Sequence, residues 1–144
     1  MADSDTDCIF CRIVDGEIPS RTIHETDGAL AFLDANPLAR GHTLVVPKEH
    51  YRHLQELDGP SAHALYETLH ELVGVVEEAV GADASNVAFN NGPAAGQEIP
   101  HVHGHIIPRF EDDDGSPVHA VAGTPPDPSD EELDEVAAAI SDRV

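Results

Sequence analysis

Histidine occupies every second position of the segment HVHGHIIP, residues 101–108. Successive side chains of a β-strand point to opposite faces, so on a strand His101, His103 and His105 would share one face. The pattern therefore predicts a row of three imidazoles on one surface. Imidazole is titratable, binds metals and acts as a nucleophile, so the row indicates a functional site.

Three interpretations of this row follow from the chemistry of imidazole. Solvated surface histidines are one, although strand stability favours Val, Thr or Tyr over histidine at such positions. A three-histidine zinc site is the second, but the outer Cα atoms of a straight strand lie roughly 14 Å apart. Because each imidazole must approach its metal to about 2.0–2.1 Å, all three hardly reach one ion. At least one histidine is left for another role.

Nucleophilic catalysis is the third interpretation. A histidine with a pKa of about 6.5 is largely neutral at pH 7 and keeps a free ring lone pair. It can attack phosphorus and form a covalent phosphoramidate, which divides one difficult displacement into two steps. Flanking imidazoles, when protonated, would neutralise the non-bridging phosphate oxygens. This interpretation accounts for three histidines rather than one.

Cys8 and Cys11 form a second group, with the C-x-x-C spacing of metal ligands. They are the only two cysteines of the chain, too few and too close together for a disulfide framework. A redox C-x-x-C normally opens a helix after a strand in a thioredoxin-like pattern, which the sequence lacks. A metal-binding pair and two buried free cysteines both remain open on this spacing alone.

The elements that must position these side chains follow from hydrophobic periodicity. A short apolar turn follows Cys8, where a short N-terminal helix is expected, and apolar residues at helical spacing predict one long helix over residues 61–80. Ser129 and Glu132 form a capping box for a C-terminal helix over residues 129–143. Five short runs predict strands, at residues 23–26, 29–34, 42–47, 85–92 and 101–108.

Two further details concern the strands. Asp27-Gly28 is expected to supply the positive φ angles of a tight hairpin turn. On the histidine segment, Val102 and Ile106 would face the core, and Gly104 would allow the close approach of another backbone. Short connections and strands on both sides of one long helix predict an α+β fold with a mostly antiparallel sheet of about five strands. A single domain over residues 1–144 is expected, with residues 1–7 and roughly 111–128 flexible.

The net charge of the chain limits the partners that it is expected to bind. The chain of 144 residues carries 28 Asp plus Glu against 7 Lys plus Arg, a formal net charge of −21. Such a surface repels phosphate backbones and anionic lipid, so neither nucleic acid nor a membrane surface is an expected partner. The excess of acids also indicates adaptation to high salt, as in a halophile, since salt screens the self-repulsion. No apolar run is long enough for a transmembrane helix, no signal peptide is visible, and a cytoplasmic location is expected.

Three segments of the chain resemble the histidine-triad (HIT) superfamily, in its order and at its spacing. They are CIFCRIVDGEIPS, ALAFLDANPLARGHTLVVPKEHY and VAFNNGPAAGQEIPHVHGHIIPRF, and together they span roughly residues 8–110. The resemblance implies a HIT-like fold and a homodimer whose sheets join. It also implies a hydrolase that cleaves at the α-phosphorus of a nucleoside phosphoramidate or related purine nucleotide through a nucleotidyl-histidine. The alternatives are a dinucleotide polyphosphate hydrolase, a nucleotidyl transferase, and a non-enzymatic nucleotide-binding interaction module.

The resemblance also implies roles for individual residues. His103 matches the nucleophile, and His105 and His42 match the flanking histidines that hold the phosphate. The residues that match the substrate-binding set are Asp34 for the ribose, Asn90 and Gln97 near the phosphate, and Phe10, Ile13, Ile18 and Phe32 around the base. Zinc-binding bacterial and archaeal members resemble this chain at Cys8, Cys11, His50 and His101, which implies a closed structural Zn²⁺ site of four ligands.

One position departs from the family's pattern. Family members commonly carry Ser or Thr after the Gly-Gln pair, where this chain has Glu98. A hydroxyl could donate a hydrogen bond to the phosphate or to the leaving group, whereas an ionised carboxylate cannot and would repel an anionic substrate. Either Glu98 points to solvent or the preferred leaving group differs, and an amine is one candidate.

Overall fold

The computed structural model describes residues 7–144. Five antiparallel strands form one sheet in the order β1-β2-β3-β5-β4. The strands are β1 (Thr22–Glu25), β2 (Ala29–Leu33), β3 (Thr43–Pro47), β4 (Ala84–Phe89) and β5 (Gly104–Arg109). The helices are α1 (Ile9–Val14), α2 (Gly59–Val80) and α3 (Asp130–Ser141), with short 3₁₀ turns at Leu54–Glu56, Pro93–Ala95 and Val118–Ala120. The predicted α+β fold with one long helix is confirmed.

Helix α2 has clear start and stop signals. The Asp58 side chain caps its N-terminus by accepting a hydrogen bond from the Ser61 N–H, and Pro60 lies in the first turn. Gly81 ends it in the left-handed conformation. Its buried stripe is Leu65, Leu69, Leu72 and Val76. Each such side chain contributes about 1.5–3 kcal/mol when it is fully removed from water, so packing against the sheet holds the helix.

The sheet has a different core on each face. One cluster joins α2 to the sheet through residues such as Val45, Leu65 and Ile106. The other joins α1 to the opposite face and consists of Cys8, Phe10, Cys11, Leu30, Phe32, Leu44 and Val46. Strand β3 is buried throughout because its alternate side chains feed both clusters. The candidate site lies on the α1 face, where His42, two residues before Leu44, also points.

Pairing of β3 with β5 brings two distant histidines together. Leu44 lies directly opposite His105, and Val45 lies opposite Gly104. His42 immediately precedes β3, so this register places its ring beside that of His105. The family resemblance gives these two histidines one role, and the strand pairing brings them together.

The histidine segment is not a strand along its whole length. Strand β5 begins only at Gly104, because the preceding backbone bonds elsewhere. The His101 N–H donates to the Ile99 carbonyl and the Val102 N–H donates to the Tyr51 carbonyl. The prediction of one continuous strand from His101 was therefore wrong. Val102 and Ile106 are buried in the α2-side core as expected.

Two glycines are required for space. A Cβ on Gly104 would lie 2.9 Å from the Phe89 ring and 3.1 Å from Leu69, so side chains rather than a backbone approach it. Gly28 does not have the positive φ expected of an Asp-Gly turn. The Thr26 hydroxyl forms the turn instead by accepting hydrogen bonds from the Gly28 and Ala29 N–H groups. A Cβ on Gly28 would lie 2.8 Å from the Ala64 Cβ of helix α2.

Residues 111–144, the C-terminal segment that follows β5, are exposed throughout. Arg109 holds the start of this segment in place, donating to both Asp113 carboxylate oxygens at 2.9 Å and to the side-chain Oδ1 of Asn86 at 2.6 Å. Ser129 and Glu132 form the predicted capping box of α3. Within residues 7–144, no helix is long and apolar enough to cross a membrane. Residues 1–6, part of the segment expected to be flexible, lie outside the described residues.

The contact of Gly28 with α2 gives a first prediction. Gly28→Ala forces the hairpin away from the helix, since neither Cβ atom can rotate out of the way, and we expect a loss of about 1–3 kcal/mol in the free energy of unfolding. Urea denaturation of the purified variant measures this loss. Gly59→Ala is the matched control, because a Cβ there meets no atom within 4 Å. Equal midpoints for the two variants would contradict the steric argument.

Candidate functional site

Hydrogen bonds to carbonyl oxygens fix the tautomers of two histidines in the segment. The His101 Nε2 lies 2.9 Å from the Pro47 carbonyl, and the His103 Nδ1 lies 2.8 Å from the His101 carbonyl. A carbonyl oxygen can only accept, so both of these nitrogens carry hydrogen. The free lone pairs are therefore at Nδ1 of His101 and at Nε2 of His103.

His42 and His105 form a directed chain of hydrogen bonds. The Leu38 backbone N–H donates to His42 Nδ1 at 3.0 Å, so the proton of His42 is on Nε2. His42 Nε2 lies 2.9 Å from His105 Nδ1 and donates to it. His105 must then carry its own proton on Nε2, an atom that is buried and has no partner among the described residues. This arrangement presents an unpaired N–H donor beside the His103 ring, whose centroid is 5.0 Å from that of His105.

Burial keeps these imidazoles neutral. Loss of hydration lowers the pKa of His103 and of His42, although the Asp34 carboxylate opposes the shift at both. Burial, together with the neighbouring His103 and His42, lowers the pKa of His105 to about 4. Burial therefore disfavours protonated flanking imidazoles in the free site at pH 7. Of the N–H groups of this pair, only the Nε2–H of His105 has no partner among the described residues.

A cleft of about 460 Å³ opens beside these rings on the α1 face of the sheet. His42 and His105 line it, as do Asp34 at the end of β2 and Asn90 after β4. Asp34 accepts a hydrogen bond from the Asn36 N–H at 2.9 Å, and its other carboxylate oxygen lies 3.7 Å from His42 Nδ1. The apolar part of the cleft is lined by Ile9, Phe10, Ile13, Pro19, Phe32, Leu44 and Ile99. The cleft thus combines an apolar slot with a polar end of N–H donors.

Most of the predicted substrate-binding residues meet in this cleft. Phe10, Ile13, Phe32, Asp34 and Asn90 all line it. His103 is not among the residues that line the cleft, but its ring packs edge-on against that of Phe10, which does line it, with centroids 5.0 Å apart.

Ile18 and Gln97 are not among the residues that line the cleft. The Gln97 side chain is occupied by the protein itself. Its carbonyl oxygen accepts from the Gly92 N–H at 2.8 Å, and its amide donates to the Arg52 and Ile99 carbonyls. Gln97 therefore fixes the shape of the loop that forms one wall of the cleft.

Sequence reasoning missed several contributors. The Leu38 N–H, which sets the tautomer of His42, is a backbone group and leaves no signal in the sequence. Leu44 and Ile99 also line the cleft. Leu44 could have been found, because it lies two residues after His42 on a strand and therefore shares its face.

A second group of side chains converges where α1 meets the sheet. Cys8, Cys11, His50 and His101 are all buried, and their four candidate ligand atoms lie within 4.8 Å of one another. The His101 Nδ1 is 3.4 Å from the Cys8 Sγ and 3.5 Å from the Cys11 Sγ, and the two Nδ1 atoms of His50 and His101 are 3.2 Å apart. A tetrahedral zinc ion with ordinary bond lengths requires S···N edges of roughly 3.6 Å and N···N edges of roughly 3.3 Å.

The surroundings also suit a metal. Burial lowers the pKa of His101 to about 4, which leaves its Nδ1 lone pair available. Its Nε2–H is held by the Pro47 carbonyl, the usual second contact of a ligating histidine. The Cys11 N–H points at the Cys8 Sγ at 3.3 Å, as expected for a thiolate ligand. The donor set fits a closed four-ligand site.

Asp34, His42 and His105 form another group close enough to hold an ion. Hydrogen bonds already account for both ring nitrogens of His42 and for the Nδ1 of His105. Leu38 occupies His42 Nδ1, and the 2.9 Å contact between the two rings is that of a donor and an acceptor. The group is better described as a hydrogen-bonded chain than as a metal centre.

A family model agrees with this architecture. The HIT domain model matches residues 15–112, and the chain belongs to the HIT family. An uncharacterised HIT-like protein of Methanocaldococcus jannaschii is 47% identical over 106 residues, which cover 74% of this chain and 81% of the relative. The adenosine 5'-monophosphoramidase hnt1 of Schizosaccharomyces pombe is 41% identical over 138 residues, which cover 95% and 98%. The adenylylsulfatase HINT3 of Arabidopsis thaliana is 44% identical over 107 residues, 74% of this chain but only 54% of that protein.

Solved structures show the same fold. A protein of Streptococcus mutans UA159 superposes with a TM-score of 0.89 at 36% identity, covering 99% of this chain and 88% of that one. A zinc-bound histidine triad family protein of Mycobacterium smegmatis superposes with a TM-score of 0.72 at 31% identity, covering 96% and 98%.

The four-ligand cluster predicts a metal content that can be measured. We expect elemental analysis of protein purified without chelator to give about one zinc per chain. Cys11→Ser should remove most of that zinc and lower the melting temperature, because the remaining buried side chains lose the ion that joins them. Ser141→Ala on the exposed helix α3 is a control that leaves both unchanged. A wild-type content below about one zinc per several chains would contradict the site.

The tautomers give a prediction for NMR of protein labelled with ¹⁵N-histidine. At pH 7 we expect His42 and His105 to be neutral with hydrogen on Nε2, and His103 to be neutral with hydrogen on Nδ1. Because burial places the pKa of His105 near 4, its signals should hold their neutral shifts until the pH falls below about 5. Signals of a cationic His105 at pH 7 would overturn the directed chain.

Proposed function

We propose that the protein is a nucleotide hydrolase that cleaves at the α-phosphorus of a purine nucleoside phosphoramidate or a related nucleotide. The observation that carries the proposal is the state of His103. Its Nδ1–H is held by the His101 carbonyl, so its Nε2 lone pair is directed away from that bond and is unprotonated. A neutral, oriented imidazole beside a second N–H donor is what attack on phosphorus requires. The named activities of the fission yeast and Arabidopsis relatives support the same reaction class.

The cleft suggests how the nucleotide would bind. Phe10, Ile13 and Phe32 offer apolar surfaces for the base, and the Asp34 carboxylate could accept hydrogen bonds from the ribose hydroxyls. The unpaired Nε2–H of His105 would donate to a non-bridging phosphate oxygen, and the Asn90 amide lines the same end of the cleft. These donors would stabilise the charge that develops on the phosphate oxygens.

The proposed reaction has two displacements. In the first, His103 Nε2 forms a bond to the α-phosphorus while the bond to the leaving nitrogen breaks. That nitrogen keeps the electron pair, takes a proton from water and departs as an amine. In the second, water attacks the same phosphorus and loses a proton, and the bond to His103 breaks. The products are a nucleoside monophosphate and a neutral imidazole ready for another cycle.

We propose that zinc occupies the four-ligand cluster as a structural ion. Cys8 and Cys11 flank Phe10, so binding of both cysteines would hold this aromatic side chain against the cleft and against His103. With four protein ligands the ion would have no open position for water. The zinc-bound relative from Mycobacterium smegmatis supports the choice of metal.

We also propose that the chain forms a single domain, that it assembles as a homodimer, that it is cytoplasmic and that it is adapted to high salt. Exposed Val87 on the edge strand β4 and exposed Leu133, Val136 and Ile140 on α3 are consistent with a protein partner.

His103 provides the decisive test. His103→Ala should abolish hydrolysis of adenosine 5'-phosphoramidate, with a loss of at least about 10³-fold in kcat, while AMP still binds by calorimetry. Mass spectrometry of rapidly quenched wild-type protein should show an adenylyl adduct that the variant lacks. His70→Ala is the control, since His70 is an exposed residue of α2 outside the cleft. Undiminished turnover in His103→Ala would refute the nucleophile. Binding of AMP without any adduct or turnover in the wild type would favour a non-enzymatic nucleotide-binding module.

A further inference from the structure

Glu98 places a carboxylate in the wall of the cleft. It lines the cleft together with Asn90, Gly96 and His105, and it is exposed to solvent. Asn90 packs against Gly96, since a Cβ built on that glycine would lie 3.7 Å from the Asn90 Nδ2. Glu98 therefore lines the same cleft as Asn90 and His105, the two residues proposed to contact the phosphate.

Hydrogen bonds and packing of its neighbouring residues hold the loop that carries Glu98 in place. The side chain of Gln97, the residue before Glu98, forms hydrogen bonds with three backbone groups. One of them is the carbonyl of Ile99, the residue after Glu98. Ile99 in turn packs against the α1-side core. The backbone on both sides of Glu98 is thus held in place, which keeps this residue in the lining of the cleft.

The carboxylate of Glu98 is also uncompensated. It makes no hydrogen bond or ion pair with any of residues 7–144, whereas Asp34, the other acid in the cleft, accepts a hydrogen bond from the Asn36 N–H. Among the residues that line the cleft, Arg21 carries the only permanent positive charge. Burial keeps His42 and His105 neutral in the free site. An anionic group beyond the α-phosphate would meet a fixed negative charge there.

We propose that Glu98 sets the charge preference of the leaving group, so that the enzyme favours amines carrying a positive charge and disfavours anionic leaving groups. The inference rests on the proposed hydrolase function and specifies its substrate class: nucleoside phosphoramidates of cationic amines, such as diamines or basic amino acid side chains. Opposite charges across a solvent-exposed cleft attract only modestly, and salt screens them. The effect is therefore one of selectivity, expressed in kcat/KM.

Three adenosine 5'-phosphoramidates that differ only in terminal charge would test the proposal. Their amines are 1,4-diaminobutane, pentylamine and 5-aminopentanoate, which end in an ammonium, a methyl and a carboxylate on equal chains. For the wild type at low salt we expect kcat/KM for the ammonium substrate to exceed that for the carboxylate substrate by about tenfold. Glu98→Gln should reduce this ratio to about twofold, and 1 M KCl should reduce the wild-type ratio similarly.

The remaining acids of a chain with net charge −21 also attract cations, so a matched control is needed. Glu78→Gln removes one exposed charge of α2 outside the cleft and should leave the wild-type ratio unchanged. Glu98→Ser, a second variant, should behave like Glu98→Gln. Equal ratios in the wild type and both Glu98 variants would overturn the inference while leaving the hydrolase function intact. Absence of both turnover and adduct with all three substrates in the wild type would instead refute the proposed function, and the inference with it.

Discussion

The hydrogen bond from the His103 Nδ1–H to the His101 carbonyl is the contact on which the rest of the site depends. It can form because strand β5 begins only at Gly104, so the His101 carbonyl takes no part in strand pairing. The irregular backbone before Gly104 also places the His101 ring beside Cys8, Cys11 and His50. A single departure from regular strand geometry therefore separates the histidine of the four-ligand cluster from the proposed nucleophile, although the sequence presents them as members of one alternating pattern.

The site also resolves an electrostatic conflict. Under the proposed function, a chain with 28 acidic residues and 7 basic ones must accommodate a phosphate. We propose that it does so without a cluster of cations, through the Nε2–H of the neutral His105, whose tautomer is set through His42 by the Leu38 N–H. A fixed donor stabilises developing negative charge without having to reorganise. Most of the acids are exposed, where hydration and salt weaken their influence on the cleft.

Much of this arrangement was predictable from the sequence. The long helix and the capping box at Ser129 follow from periodicity and motif, and the proximity of His42 and His105 was implied by the family resemblance. The point where the histidine segment leaves the sheet did not follow, because the bonds responsible join backbone groups of residues distant in sequence, such as Val102 and Tyr51. Gln97 shows the same limit. Its motif is recognisable, but only the surrounding carbonyls reveal that its amide holds a loop. The turn at Gly28 was misread since a crowded contact with Ala64 requires the glycine there.

The shared backbone of His101 and His103 constrains how this segment can change over evolutionary time. The imidazoles have separate proposed roles, yet they lie on one short stretch of chain. One end of this stretch is fixed by the cysteine cluster and the other by the pairing of β5 with β3. A one-residue insertion before Gly104 would displace either the ring near the cysteines or the one paired with His42. Point substitutions can accumulate around such a segment, as at Glu98, whereas changes of length within it cannot. Variation in substrate choice is therefore expected to arise in the walls of the cleft, and the spacing of the histidines to stay invariant.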